Sequence, residues 1–243
     1  SGMDEMHVSL INLELNSGDF EKYEFNPGEN DSIQLGINFT EFVKLLKVSS
    51  GHDYLTIRYN SSETKLNIIF SNDGLIRKYS LMLLDTDTNN INVPSIDYYL
   101  ELELSTKLFT NIVNSVIATG AEEITFKIAN NKLVSSSKGD LSETEFVFDK
   151  SEGYENETKL KLNFKKKTNE TKVKKRKIYE LLSCEGQFNV TVGMSMLKNI
   201  VKANMLTDYV TLNMIENNPV RLDYNLNDDG SVIYYYISPK IDD

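Results

Sequence analysis

Three stretches of the chain follow one plan, and that recurrence constrains the fold more than any single motif. They run from Asn38 to Phe70 (NFTEFVKLLKVSSGHDYLTIRYNSSETKLNIIF), from Ser105 to Ser137 (STKLFTNIVNSVIATGAEEITFKIANNKLVSSS) and from Gly193 to Leu226 (GMSMLKNIVKANMLTDYVTLNMIENNPVRLDYNL). Each reads as a short amphipathic helix, a polar turn, an alternating strand, a turn of Asn, Asp or Ser, and a second strand. In the first helix Phe39, Phe42, Val43 and Leu46 fall at i, i+3, i+4 and i+7, and Phe109, Ile112, Val113 and Val116 repeat that spacing in the second. The third offers Leu197, Ile200, Val201 and Met205. Such spacing puts one apolar stripe on each helix, to be buried against a sheet. The strands alternate, as in Tyr54-Leu55-Thr56-Ile57 and Tyr209-Val210-Thr211-Leu212. The expected class is α+β.

Between the first and second units lies DTDTNNINVPS, Asp85 to Ser95, polar and without either period. It reads as an interdomain connector. The expected organisation is a first domain over 1–84, a connector over 85–97, and a second domain over 98–243 that holds two of the units. Only one unit precedes the connector. If the domains match, a first strand-helix-strand unit is missing from this chain, and the strand pattern of MDEMHVSLINLEL (Met3 to Leu15) belongs to the middle of a domain.

The helix faces opposite the apolar stripes are rich in donors. Lys44 and Lys47 share a face of the first helix, Lys107, Asn111 and Asn114 a face of the second, and Lys198 and Lys202 a face of the third. On any one helix this is an ordinary solvated face. Repeated in three equivalent places, it suits a sequence-blind surface for a phosphate backbone, because ammonium groups neutralise phosphates without reading base edges. The rest of the chain is acidic. The net charge is −10, yet Lys159 to Lys177 carries ten Lys or Arg against the single acid Glu170, a local +9, which leaves −19 elsewhere. That basic segment is open to three readings: a solvated insertion, a nuclear localisation signal centred on KVKKRK (Lys172 to Lys177), or a loop that touches DNA.

Other classes find little support. The two histidines, His7 and His52, lack metal-ligand spacing, and there is no Gly-rich phosphate loop or nucleophile elbow. No cofactor and no metal are expected, and the chain does not read as an enzyme. The lone Cys184 cannot form an intrachain disulfide, no apolar run approaches the ~20 residues of a membrane span, and no secretion signal opens the sequence. The expectation is a soluble intracellular protein with no membrane partner.

Four motifs in order resemble the proliferating cell nuclear antigen (PCNA) family of eukaryotic and viral DNA sliding clamps. MDEMHVSLINLEL looks like that family's Met-Asp-x-x-His-Val-Ser-Leu strand, and Gly36-Ile37-Asn38-Phe39-Thr40 with Lys44-Leu45-Leu46-Lys47 looks like its Gly-Val-Asn-Leu motif and lysine-bearing helix. Tyr79 to Pro94 (YSLMLLDTDTNNINVP) is similar to its edge strand and connector, and IYYYISPKID (Ile233 to Asp242) to its closing strand.

The resemblance implies a DNA clamp fold: two similar domains with outer antiparallel sheets and inner helices, assembled head to tail as a homotrimeric ring. Such a ring encircles double-stranded DNA without regard to sequence, confers processivity on DNA polymerase, and docks replication and repair proteins. Lys44, Lys47 and Lys202 match the family's DNA-facing basic residues, with Lys198 and Lys107 as further candidates. Asn111, Asn114 and Ser195 stand where relatives often carry arginine. Partner proteins such as polymerase, flap endonuclease, ligase and the clamp loader use a short peptide, the PIP box. The matching pocket positions are Met3, His7, Val8, Leu10, Ile91, Val93, Pro94, Pro219, Tyr236, Ser238 and Pro239. Tyr79 and Leu81 on one side, with Glu145 and Val147 on the other, are the expected subunit interface. The resemblance implies residence in the nucleus, or in a cytoplasmic viral factory. Two alternatives remain: a clamp-like checkpoint or transcription factor without ring function, and a β-rich binding module unrelated to DNA.

Overall fold

The computed structural model describes residues 2–3, 9–26, 32–85, 96–129, 132–148, 153–154, 177–184, 189–228 and 230–240. In chain order the elements are β1 (Gly2–Met3), β2 (Ser9–Glu14), β3 (Gly36–Ile37), α1 (Phe39–Leu46), β4 (Tyr54–Tyr59), β5 (Lys65–Asn72) and β6 (Leu75–Leu84). Then follow β7 (Leu100–Ser105), α2 (Thr106–Ala118), β8 (Glu123–Ala129), β9 (Lys132–Lys138), β10 (Glu143–Phe148) and β11 (Gly153–Tyr154). The chain continues through β12 (Lys177–Cys184), β13 (Asn189–Gly193), α3 (Met194–Ile200), a 3-10 turn over Val201–Met205, β14 (Tyr209–Met214), β15 (Val220–Asn225) and β16 (Val232–Ile237). The expected connector falls mostly outside the described residues, as does the basic segment up to Arg176.

Contacts divide the chain into two units, residues 1–23 with 91–243, and residues 24–90. The cause of this grouping is one ladder. β2 pairs antiparallel with β16 from Ser9↔Ile237 to Glu14↔Val232, so the segment before residue 24 is hydrogen-bonded to the last strand of the chain. A polar knot reinforces it. The Asn16 amide donates to Ser231 Oγ at 2.9 Å, the Ser231 amide donates to Asn227 Oδ1 at 3.0 Å, and the Asp19 carboxylate accepts from both Ser231 Oγ and Asn227 Nδ2. The β15–β16 connection needs Gly230 at φ +91, a backbone region that side chains disfavour.

Within this larger unit an eight-stranded sheet runs β1-β2-β16-β15-β14-β7-β12-β11, and a four-stranded sheet runs β10-β9-β8-β13. Their inward faces and both helices share one core. It includes Leu100, Leu102 and Leu104 of β7, Ile124 and Phe126 of β8, Leu212 of β14 and the fully buried Tyr224 of β15. Into it α2 buries Phe109, Ile112, Val113 and Val116, the stripe read from the sequence. From α3 come Met194, Leu197 and Ile200. Met205, expected on that stripe, is instead 87% exposed. The winding tightens to 3-10 at Val201, so each residue advances about 120° and not 100°, and Ala203 turns inward in its place.

The smaller unit has a sheet ordered β3-β6-β5-β4, with α1 packed on it. Its core is Leu66, Ile68, Phe70 and Leu81, lined by Phe42, Leu45 and Leu46 of α1. Phe39 is 70% exposed, so the buried stripe of α1 starts one turn later than its spacing suggested. Asn38 caps the helix by accepting from the Glu41 amide at 3.1 Å. The β5–β6 hairpin turns on Asp73-Gly74, both at positive φ, the two-residue turn that an Asp-Gly pair favours.

The recurrence seen in the sequence is a recurrence of topology. Helix, strand, strand, strand occurs as α1-β4-β5-β6, as α2-β8-β9-β10 and as α3-β14-β15-β16, with antiparallel neighbours in each. One difference stands out: β14 is also paired to β7 along its other edge, whereas β4 has no second partner among the described residues and exposes Tyr54, Leu55 and Ile57.

The 3-10 turn is locked to α2 by Asn204, whose Nδ2 donates to Thr106 O at 3.0 Å and to Thr110 Oγ1 at 2.7 Å, while its Oδ1 accepts from the Tyr224 hydroxyl at 2.8 Å. Asn204→Ala strands these partners in a buried setting. It is expected to cost about 1–3 kcal/mol, read as a lowered urea midpoint with an unchanged slope.

Candidate functional site

The burial of α2 dictates what it shows to solvent. With Phe109, Ile112, Val113 and Val116 inward, Lys107, Asn111 and Asn114 are exposed together on the opposite face. Ser105 caps the helix, its hydroxyl accepting from the Leu108 amide at 3.3 Å. On α3 and the turn after it, Ser195, Lys198 and Lys202 are exposed in the same way. Lys202 Nζ donates to Asn199 Oδ1 at 3.2 Å, a neutral acceptor that leaves its charge uncompensated. The Asn204 bridge holds the two elements against each other, so the larger unit presents these donors from a rigid support.

In the smaller unit Lys44 and Lys47 are exposed on α1. Here an acid intrudes. Lys44 Nζ pairs with Glu41 Oε1 at 2.7 Å, with side-chain exposures of 65% and 52%. An exposed pair of this kind is weak and screened by salt, so Lys44 remains available to an anion while part of its field is offset.

A second group of residues gathers on the outer face of the eight-stranded sheet. Strand register places Leu10, Tyr236, Arg221, Asn213 and Glu101 in one row across β2, β16, β15, β14 and β7. The adjacent row is Asn12, Tyr234, Asp223, Thr211 and Glu103. Of the expected pocket residues, Leu10 and Tyr236 are thus direct cross-strand neighbours, both buried, at 6% and 5% exposure. Pro219 and Pro239 are half-buried and Ser238 is exposed. Met3 lies in β1 opposite Leu10. His7, Val8, Ile91, Val93 and Pro94 fall outside the described residues. The wide surface groove among those described, about 380 Å³, is elsewhere, on the outer face of β8–β10, lined by Glu123, Ser136, Lys138 and Glu145 among others.

Beside Leu10 and Tyr236 sits a cluster that the sequence motifs did not single out. Arg221 donates from Nε and Nη2 to the two oxygens of Asp223, at 2.7 and 2.8 Å. Its guanidinium lies over the rings of Tyr98 at 4.9 Å and Tyr234 at 5.1 Å. The Tyr98 hydroxyl donates to Pro219 O at 3.2 Å, tying the residue just after the expected connector to one of the expected pocket residues. Burial raises the Asp223 carboxyl above its usual range even though Arg221 pulls the other way. Burial likewise opposes the Arg221 charge, but Asp223 outweighs it. The available signal was Arg221 and Asp223 two apart on a strand, and hence on one face.

The strands expected at the subunit contact are sheet margins. β10 ends its sheet, with Glu145 and Val147 exposed. β6 pairs with β5 along its length but meets β3 only at Leu83 and Leu84, so its other edge from Leu75 to Met82 has no partner among the described residues. Tyr79 packs edge-on to Phe70 with ring centroids 6.0 Å apart, and Leu81 points into the unit's core.

Burial pushes the Tyr98 phenol up to about 12, above the ~10 of a free tyrosine. The folded state therefore holds this proton more tightly than the unfolded chain. Its contribution is fully present below pH ~10 and is lost as pH rises towards 12. Tyr98→Phe is expected to flatten the fall in melting temperature between pH 10 and 12, measured by thermal melts across that range.

Comparison with known proteins bears on the whole chain. Residues 1–90 match the family model for the proliferating cell nuclear antigen N-terminal domain, and residues 92–240 match that for its C-terminal domain. A DNA polymerase sliding clamp of Methanococcus maripaludis (strain C5) is 25% identical over 242 residues, which is 100% of this chain and 85% of the relative. One of Methanococcus vannielii is 26% identical over 243 residues, with the same coverage. The proliferating cell nuclear antigen of Chaetomium thermophilum is 24% identical over 243 residues, 99% of this chain and 84% of the relative. With the two domain models matching residues 1–90 and 92–240, the chain belongs to the proliferating cell nuclear antigen family of sliding clamps.

Proposed function

We propose that this protein is a DNA sliding clamp, a homotrimeric ring that encircles duplex DNA and serves as a processivity factor and docking platform. It binds and tethers; no bond is made or broken. The observation that carries the reading is the β2–β16 ladder. We match the runs of α1 and α3, so that β16, which closes one, is the counterpart of β6, which closes the other. We match β2, which stands before α1, with β10, which closes the α2 run before α3. The chain therefore contains one such pairing internally, and among the described residues the two matching edges of a second pairing have no partner. β6 of one copy and β10 of the next complete each other in the same way. Charge supports it, with exposed Lys78 on β6 and exposed Glu145 on β10. The contact is heterologous and closes by rotation into a ring.

The exposed Lys107, Lys198 and Lys202, with Lys44 and Lys47, supply sequence-independent phosphate contacts. The asparagines 111 and 114 contribute hydrogen bonds without charge, which gives a lighter electrostatic hold than arginine would. The sheet face around Leu10, Tyr236 and Pro219 supports the partner-peptide reading, in which a PIP-type segment docks on this side of the sheet. The KVKKRK run supports nuclear residence.

Light scattering on the purified protein is expected to give the mass of three subunits, and Lys78→Glu to lower that mass at micromolar concentration, with Glu145→Lys restoring it in the double variant. A monomer at all concentrations would overturn the ring. For DNA, replacing Lys44, Lys47, Lys198 and Lys202 by Ala is expected to reduce the slope of log K against log salt by about 0.9 for each phosphate no longer neutralised. An unchanged slope places the DNA-binding surface elsewhere.

A further inference from the structure

We propose that Ser142 is a phosphorylation site, recognised by a serine kinase that reads carboxylates downstream of its target. Ser142 lies in the four-residue turn between β9, which ends at Lys138, and β10, which begins at Glu143. It is followed by Glu143 and Glu145, and no other Ser or Thr in the sequence has acids at both +1 and +3. Asp140 adds a third carboxylate two residues before it. Kinases select substrates partly by charge pattern, and a cleft lined with basic residues is complementary to three acids around one hydroxyl. The proposal stands apart from the ring, since the turn is exposed in a single copy.

The fold presents this run. The base of the turn is fixed, because a Cβ at Gly139 would run into Thr119 O, so the turn is pressed against the C-terminal end of α2. The Gly139 amide donates to Ser142 O at 2.9 Å and closes the turn through the backbone. The tip stands clear: Asp140, Leu141 and Ser142 are exposed, Leu141 at 99%. Phe146 and Phe148 pack on the core, so strand alternation puts Glu143 and Glu145 on the outer face beside the β8–β10 groove. Side chains stand roughly perpendicular to a sheet, so pairing of β10 along its margin would leave both carboxylates uncovered. Among the described residues the Ser142 hydroxyl carries no hydrogen bond, so its modification breaks none. Neighbouring hydroxyls are less accessible, with Ser137 buried and Ser136 and Thr144 half-buried.

The phosphoryl donor is a nucleoside triphosphate. A bond forms between Ser142 Oγ and the γ-phosphorus as the bond from that phosphorus to the β–γ bridging oxygen breaks. The nucleoside diphosphate leaves, and the hydroxyl proton passes to the kinase's catalytic base. Before modification the segment from Lys138 to Glu145 carries −2, from one lysine against Asp140, Glu143 and Glu145. A phosphoserine adds roughly −1.5 to −2 at neutral pH, so the charge falls to about −4. Lys138 pairs with Glu143 across the foot of the turn at 3.1 Å, with side-chain exposures of 79% and 68%. So exposed a pair is weak, and the phosphate, a stronger charge-assisted acceptor, draws the ammonium to itself. Modification releases Glu143 and makes this end of the outer face strongly anionic, while the backbone bond that closes the turn is untouched.

The test uses the full chain, magnesium ATP and a purified acid-directed serine kinase of the kind assayed on casein. Incorporation is read by intact mass, and the modified residue by fragmentation. One phosphate per chain is expected, on Ser142, and none on the Ser142→Ala variant. Glu143→Gln and Glu145→Gln are each expected to lower the initial rate by about tenfold, the signature of a charge pattern that the kinase reads. Any loosening of a subunit contact through Glu145 would expose the turn further and raise the rate, so a fall reports recognition of the carboxylate. Three results overturn the inference: no phosphate on the wild type, incorporation that persists in Ser142→Ala, or rates that are the same with and without the two glutamates.

Discussion

The presentation of charge on the helices depends on the burial of their opposite faces. Each large apolar side chain taken from water contributes roughly 1.5–3 kcal/mol, and α2 commits Phe109, Ile112, Val113 and Val116 to a core shared with β7, β8 and β14. Rolling the helix to hide Lys107 or to show other residues would forfeit several of those contributions at once. Its outward face is thus a by-product of packing. The same holds for α3, with the refinement that the 3-10 turn after Ile200 rotates the stripe and is held in place by Asn204 and Tyr224. A weak, sequence-blind contact with phosphate needs no precise side-chain geometry, only donors kept on one side by a stiff support.

Edge strands are the second constraint. An unpaired strand margin is a template for another strand, and this protein deals with its margins in two ways. At β16 the margin is covered from within by β2, at the cost of tying the ends of the chain together. At β6 and β10 the equivalent margins are left uncovered among the described residues, with opposite charges exposed on each. Because the two situations arise from one repeated topology, the internal ladder is the template for the association proposed above. The outer sheet face carries Glu101 and Glu103 in neighbouring rows, while Asp223 is paired with Arg221, and that acidity disfavours non-specific contact with nucleic acid there.

Much of this was legible in the sequence where a single period decides the outcome. The apolar spacing of α2 and the alternation of β14 follow local rules that neighbours did not override. The lysines and asparagines of the helices were legible for the same reason, being the complement of the stripe. Legibility failed where the answer depended on what lies opposite. Phe39 fits the helical period but overhangs the small core of its unit, and Met205 fits it until the helix changes its winding. Arg221 and Tyr98 are far apart in sequence, and only the β7–β14–β15 register brings them to one place. Asn204 offered no signal, since a half-buried asparagine that bridges two elements looks like any loop asparagine.

Residue order alone is enough to say that this chain folds as repeated helix-and-strand units, which side of each helix is wet, and, through motifs spread over its length, to which clamp family it belongs. These are properties of periodicity and of residue identity at ordered positions, and both are local. Two features waited on the folded chain: residues 9–14 are stapled to the last described strand, and a guanidinium clasped by two tyrosines sits beside Leu10 and Tyr236. Each of these depends on strand register between segments distant in the chain. A shift of one residue turns every side chain to the opposite face, and no local pattern encodes which partner a strand will find.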